Sequence, residues 1–178
     1  MDSEKEKFHV WYNTKLKVGY MPTFEDNIPE YIKDYNTIIN VSDFSDFEYV
    51  EKVIGLNKKY FWFPMNEVTG DMGINSIYGS LNILYQSFQR NESVYLHCFL
   101  GKNRSRVIEA SFYYMMTGEH LTQISKSHQN RIFSNSSRGH LPEVSKFELF
   151  LNNCHKVFSV PYVEPVYGPI DYCKLRSL

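Results

Sequence analysis

Residues 94–106 read V-Y-L-H-C-F-L-G-K-N-R-S-R, and this run gathers the side chains best suited to chemistry. An apolar strand from Val94 to His97 delivers Cys98 to its end, and helical spacing resumes six residues later. Between them the backbone must turn sharply, and Gly101 permits φ values that other residues resist. Successive N–H groups in such a turn point inward and make an anion-binding nest. The N-terminus of the next helix adds partial positive charge, and Arg104 in its first turn can grip two phosphate oxygens with a planar fork. The same surroundings act on Cys98. A free thiol with a pKa of about 8.5 is mostly protonated near neutrality, whereas a nest, a helix N-terminus and an arginine all favour its thiolate. A nucleophile and a cradle for a tetrahedral dianion on one loop suit attack on a phosphate monoester through a cysteinyl-phosphate intermediate.

The elements that must hold this loop are read from periodicity. Residues 8–18 (FHVWYNTKLKV) read as one or two short strands, and residues 28–35 as a short helix with Pro29 in its first turn. Thr37 to Val41 is a compact apolar strand ending at Ser42 and Asp43, which can cap the succeeding helix. Phe47, Val50, Val53 and Ile54 recur at helical spacing. Tyr60 to Phe63 is a second strand, and this aromatic run reads as core rather than as a ligand platform. Residues 65–75 form a polar loop containing glycine. Ile77, Leu81, Leu84, Tyr85 and Phe88 mark an amphipathic helix, and Val107, Ala110, Tyr114 and Met115 another, stopped by Gly118. Two more helical stretches are expected over 121–132 and 144–157, then a tail, 159–178, extended by Pro161, Pro165 and Pro169. Strands alternating with helices imply a largely parallel sheet covered on both faces, with ligands at the carboxyl ends of its strands.

Composition narrows the function classes. The 178 residues suit one domain with its own core, and 43% hydrophobic against 22% charged residues argue against wholesale disorder. The net charge of −1 supplies no global basic field, so no nucleic acid partner is expected. Cys98, Cys154 and Cys173 show no C-x-x-C spacing, and His128, His140 and His155 no metal-ligand spacing. Cys154 and Cys173 read as small buried hydrophobes, although either is a candidate to form a disulfide with an oxidised Cys98. Arg90 and Arg106 read as solvated surface charges. The charged residues 1–7 lack the apolar stretch of a signal peptide, and no run has the length of a membrane span. A cytoplasmic protein with no membrane insertion is expected, in a compartment where a free thiol survives.

His97, Cys98, Gly101, Arg104 and Ser105 together spell H-C-x-x-G-x-x-R-S, which resembles the signature of the cysteine-dependent protein tyrosine phosphatase superfamily. Ile38-Ile39-Asn40-Val41 resembles the buried strand of its compact dual-specificity branch. Arg138, Leu141-Pro142 and Phe147 resemble a downstream segment of that branch, with Glu143 where Asn is usual. The resemblance covers residues 8–157. It implies a catalytic domain over 1–158, with the tail 159–178 outside it. The implied architecture is an α/β three-layer phosphatase fold with a central, mostly parallel sheet flanked by helices. It implies Cys98 as nucleophile and Arg104 as phosphate ligand and transition-state stabiliser. The main chain of Phe99, Leu100, Gly101, Lys102, Asn103 and Arg104 would bind the substrate phosphate. Ser105 would assist thiolate departure, and His97 would support the loop. No metal and no cofactor are implied. The expected partner is a phosphorylated protein or peptide, first on tyrosine, with phosphoserine and phosphothreonine allowed.

The family also uses a general acid from a separate loop. Aligned backward from Cys98, that position falls on Asn66, whose amide has no acidic proton to give. Asp71-Met72-Gly73 resembles the acid loop of other compact members, and Gly70 and Gly73 lend it freedom; Glu67 is the alternative carboxylate. Asp71 is therefore the expected acid. The Asn66 alignment instead implies a phosphate-binding pseudophosphatase with weak or no turnover. Two further substrate classes stay open. Lys102 matches one loop base of phosphoinositide-specific relatives while Phe99 replaces the other. Gly101 and Asn103-Arg104 are faintly similar to RNA 5′-phosphatases.

Overall fold

Four short strands whose successive side chains feed two separate cores decide the architecture. The strands are β1 (Leu16–Gly19), β2 (Thr37–Asn40), β3 (Lys59–Trp62) and β4 (Val94–His97). All pair in parallel, in the order β1-β4-β2-β3. Ile39 lies opposite Phe61 and Leu96, and Ile38 opposite Tyr60 and Tyr95. The first set packs into one core and the second into another, because successive side chains leave a strand on opposite faces. This arrangement comes from a computed structural model that describes residues 3–22, 30, 32–45, 47–65, 74–101 and 104–121.

Helices cover both faces. On one, α1 (Ser3–Lys15), α3 (Ile74–Gln89) and α4 (Arg104–Thr117) contribute Phe8, Trp11, Leu81, Leu84, Ile108 and Phe112 to the larger core. On the other, α2 (Phe47–Gly55) buries Tyr49, Val50 and Val53 against Ile38, Tyr60 and Tyr95. The central strands β2 and β4 are buried along their whole length, which is why both read as uninterrupted apolar runs. The result is the α/β, three-layer arrangement with a parallel sheet that the sequence implies.

One expectation is overturned at the N-terminus. Residues 8–18 are not a pair of strands: helix α1 runs to Lys15 and only Leu16–Gly19 is strand. Phe8, Trp11 and Tyr12 stand at i, i+3 and i+4 and present one aromatic face. Phe8 meets Phe88 and Phe112 edge-on, and Trp11 Nε1 donates to the Glu92 carbonyl at 2.8 Å. Glu4 and Glu6 in the first turn and Lys15 in the last complement the helix dipole. Burial of that face outweighs the strand preference of aromatic residues.

The other described elements fall where periodicity places them. Helix α4 ends at Gly118, whose φ of +74° is the left-handed value of a helix stop, and its N–H bonds the Tyr114 carbonyl at 2.8 Å. Glu30 and Ile32 are helical, as expected for the 28–35 stretch. The expected helices over 121–132 and 144–157 lie outside the described residues apart from Leu121, and the tail 159–178 lies wholly outside them.

Candidate active site

The segments after all four parallel strands converge on the loop that carries Cys98 and on Arg104. Strand β4 lies between β1 and β2, so the residues after it occupy the middle of that edge. Cys98 is a free thiol, 2% exposed. Its Sγ accepts the Gly101 N–H at 3.2 Å and lies 3.2 Å from Ser105 Oγ, in the first turn of α4. An amide hydrogen, a hydroxyl and a helix N-terminus thus all face the sulfur, and each favours a negative charge there.

Gly101 is required twice over. Its φ is +70°, and a Cβ there would lie 2.5 Å from the Gly19 carbonyl carbon and 2.6 Å from its oxygen. The loop is seated on the end of β1: Met21 N–H donates to the Phe99 carbonyl at 3.1 Å, and Tyr95 OH donates to the Tyr20 carbonyl at 2.5 Å. Gly19 leaves room for that phenol, since a Cβ at Gly19 would lie 2.5 Å from the Tyr95 oxygen.

Arg104 opens α4 and is 7% exposed. Its Nη1 donates to Asp43 Oδ1 at 2.7 Å and to the Met65 carbonyl at 2.9 Å. Asp43 lies just beyond β2 and Met65 just beyond β3, so both neighbouring loops hold the guanidinium. The hydrogen bond from Arg104 keeps the Asp43 carboxyl below the usual carboxylate range, against a smaller opposing effect of burial. Asn40 fixes the segment that carries Asp43. Its Nδ2 donates to the Phe44 carbonyl at 2.8 Å and to Tyr60 OH at 3.0 Å, while its Oδ1 accepts the Ser42 N–H at 2.8 Å. Asp43, expected with Ser42 to cap the succeeding helix, instead holds Arg104, while Ser42 Oγ donates to the Phe44 carbonyl.

His97 is fully buried. Its Nδ1 lies 3.0 Å from the Cys98 carbonyl and its Nε2 3.2 Å from Tyr49 OH. Burial pushes the imidazole down to about 4, so the ring is neutral at ordinary pH. A carbonyl can only accept, so Nδ1 carries the hydrogen and Nε2 accepts from Tyr49.

Of the residues singled out in sequence, His97, Cys98, Gly101, Arg104 and Ser105 come together here. Phe99 and Leu100 lie in the loop with side chains 52% and 64% exposed. Lys102, Asn103, Asn66, Glu67, Asp71, Arg138, Cys154 and Cys173 lie outside the described residues. Arg106, read as a solvated charge, has a side chain 37% exposed but is also engaged. Its Nε donates to the Gly101 carbonyl at 3.2 Å and its Nη1 to Glu109 Oε2 at 2.8 Å. Sequence reasoning also missed Asp43, Tyr49 and Gly19. Asp43 had a usable signal, being a carboxylate just beyond the end of a buried parallel strand.

No family model matches the sequence, and no curated protein matches it. Solved structures do match in fold. DUSP15 is 14% identical, with 84% of this chain covering 94% of that one at a TM-score of 0.60. The core catalytic domain of the PP-IP phosphatase SIW14 from S. cerevisiae, in complex with citrate, is 15% identical, with coverages of 81% and 86% and a TM-score of 0.58. PTPMT1 in complex with PI(5)P is 12% identical, with coverages of 82% and 92% and a TM-score of 0.57. The chain therefore has the fold of the cysteine-dependent phosphatases, in its compact, dual-specificity-like form. Among the described residues, no helix is long and apolar enough to cross a membrane.

Proposed function

We propose that this chain is a phosphatase that hydrolyses phosphate monoesters through a cysteinyl-phosphate intermediate, acting on phosphotyrosine in proteins or peptides. The observation that carries this reading is the placement of Cys98 Sγ at 3.2 Å from both the Gly101 N–H and Ser105 Oγ, on a loop closed by Arg104. The substrate phosphate sits over the sulfur, held by loop amides and by Arg104, which exchanges part of its grip on Asp43 for the anion. Cys98 attacks phosphorus in line, the ester P–O bond breaks, and the leaving oxygen takes a proton from a loop carboxyl. Asp71 is that acid in this reading. Water then gives a proton to the Asp71 carboxylate left by the first step and attacks phosphorus, the P–S bond breaks, and inorganic phosphate leaves while Ser105 bonds the departing thiolate. His97, neutral and bonded on both nitrogens, holds the loop and transfers no proton in the cycle.

The choice of phosphotyrosine rests on the rim. Tyr20, Phe44, Phe99 and Leu100 are exposed apolar side chains on segments that border the anion loop, and they suit an aryl ester better than a polyanionic headgroup. The catalytic domain spans residues 1–158, and a reducing compartment such as the cytoplasm keeps its thiol free.

The alternative reading, a phosphate-binding module with little turnover, is favoured by the alignment of Asn66 with the family's acid position. Hydrolysis of p-nitrophenyl phosphate and of a phosphotyrosine peptide separates the two. Turnover of both, abolished in Cys98→Ser and lowered roughly a thousandfold in Arg104→Lys, supports the enzyme. Tight phosphopeptide binding without turnover of either ester supports the module.

A further inference from the structure

We propose that Tyr12, Glu109 and Arg106 form a positioning relay that runs from the N-terminal helix to the Gly101 peptide and sets how strongly the loop stabilises the Cys98 thiolate. The inference rests on the reading of Cys98 as nucleophile and adds three residues to that site.

Gly101 is clamped on both of its polar groups. Its N–H faces Cys98 Sγ at 3.2 Å, and its carbonyl accepts from Arg106 Nε at 3.2 Å. A carbonyl turned toward the sulfur would oppose negative charge there, so a cation that holds it outward keeps the amide dipole aimed at the anion. Arg106 is itself held. Its Nη1 donates to Glu109 Oε2 at 2.8 Å, and Glu109 Oε1 accepts Tyr12 OH at 2.7 Å. Burial and then the Glu109 charge push the Tyr12 phenol far up, so it stays a donor at every working pH. An exposed i,i+3 ion pair within one helix contributes little by itself. Here the pair is anchored at both ends, by a phenol from α1 and by a carbonyl of the anion loop. Two edges of one guanidinium are used, which a lysine ammonium cannot reproduce.

The test is the pH dependence of Cys98 alkylation by iodoacetamide, resolved by mass spectrometry from Cys154 and Cys173, in the full chain. Tyr12→Phe should move the midpoint up by roughly half a pH unit and Arg106→Ala by about one, in proportion to weakening one hydrogen bond to a charged acceptor. Arg106→Lys should behave like Arg106→Ala. In the Arg106→Ala background Tyr12→Phe should add nothing, because the relay is already cut. An unmoved midpoint in folded Tyr12→Phe, or additive shifts in the double variant, overturns the relay. Should Arg106→Ala fail to fold, the Tyr12→Phe and Glu109→Gln pair gives the same cycle. A wild type that neither hydrolyses p-nitrophenyl phosphate nor binds orthovanadate overturns the phosphatase reading instead, while the alkylation midpoints still decide the relay.

Discussion

Arg104 reaches from the first turn of α4 to the Asp43 carboxylate at 2.7 Å, so the cation of the proposed anion loop is already engaged by an anion of the protein itself. The two partners differ in setting: the arginine side chain is 9% exposed and the aspartate 50%. If the loop binds phosphate as proposed, Asp43 orients Arg104 and also competes with the incoming oxyanion. Asp43→Asn should bind inorganic phosphate about threefold more tightly, in line with the modest strength of a half-exposed pair. Turnover should fall, because the fork is less firmly oriented. Phosphate inhibition of p-nitrophenyl phosphate hydrolysis measures both effects, and weaker inhibition in the variant would contradict the competition. The Asp43 carboxyl titrates below its ordinary range in the folded chain. The small stability it lends is present above the unfolded value and is lost as pH falls through the folded one.

The acid is tested by leaving group. Asp71→Asn should slow hydrolysis of a phosphotyrosine peptide by roughly a hundredfold, leave p-nitrophenyl phosphate much less affected, and remove the basic limb of the pH–rate profile. If the peptide rate is unchanged in Asp71→Asn and falls in Glu67→Gln, the role passes to Glu67.

His97 makes stability depend on pH. Its folded value of about 4 lies below the ordinary 6.5. Between those values the unfolded chain binds a proton that the folded chain refuses. Stability is complete above about pH 6.5, declines as pH falls toward 4, and the loss from this one group approaches roughly 3 kcal/mol. Urea unfolding at pH 7 and at pH 4.5 measures the decline. His97→Leu should start less stable, with the Cys98 carbonyl and Tyr49 hydroxyl deprived of their partner, but should show a shallower slope. An equal slope in both proteins would assign the decline to other groups.

Two glycines share a backbone angle and should differ sharply on substitution. Gly101 and Gly118 have φ of +70° and +74°, yet a Cβ at Gly118 meets nothing within 4 Å while one at Gly101 meets the main chain of Gly19. Gly118→Ala should cost about 1–2 kcal/mol for the left-handed conformation alone. Gly101→Ala adds a clash that side-chain motion cannot relieve, and should abolish orthovanadate binding. Thermal unfolding and vanadate titration of the two variants give the comparison.

The anion loop is legible in sequence because its determinants are contiguous: an apolar strand, a glycine, and an arginine opening a helix, all within Val94 to Arg104. The same holds for β2 and β4, whose full burial leaves an uninterrupted apolar run. Helix α1 is not legible, because residue type favours strand there and the deciding contacts, Phe8 on Phe88 and Phe112, join distant parts of the chain. Asp43 reads as a helix cap because its true partner is set by register. Asn40 aligns with His97 across β2 and β4, so the two strands end together and their loops meet. Arg106 misleads for a related reason, since its partners include a main-chain carbonyl that no side-chain pattern advertises.

Cys98 is almost wholly buried, while Phe99 and Leu100 directly after it stand exposed. Depth then acts as a sieve before charge is felt. On the proposed reading, a thick disulfide reagent should react slowly with that sulfur, whereas a slender ring bearing its anionic group at the far tip should reach it.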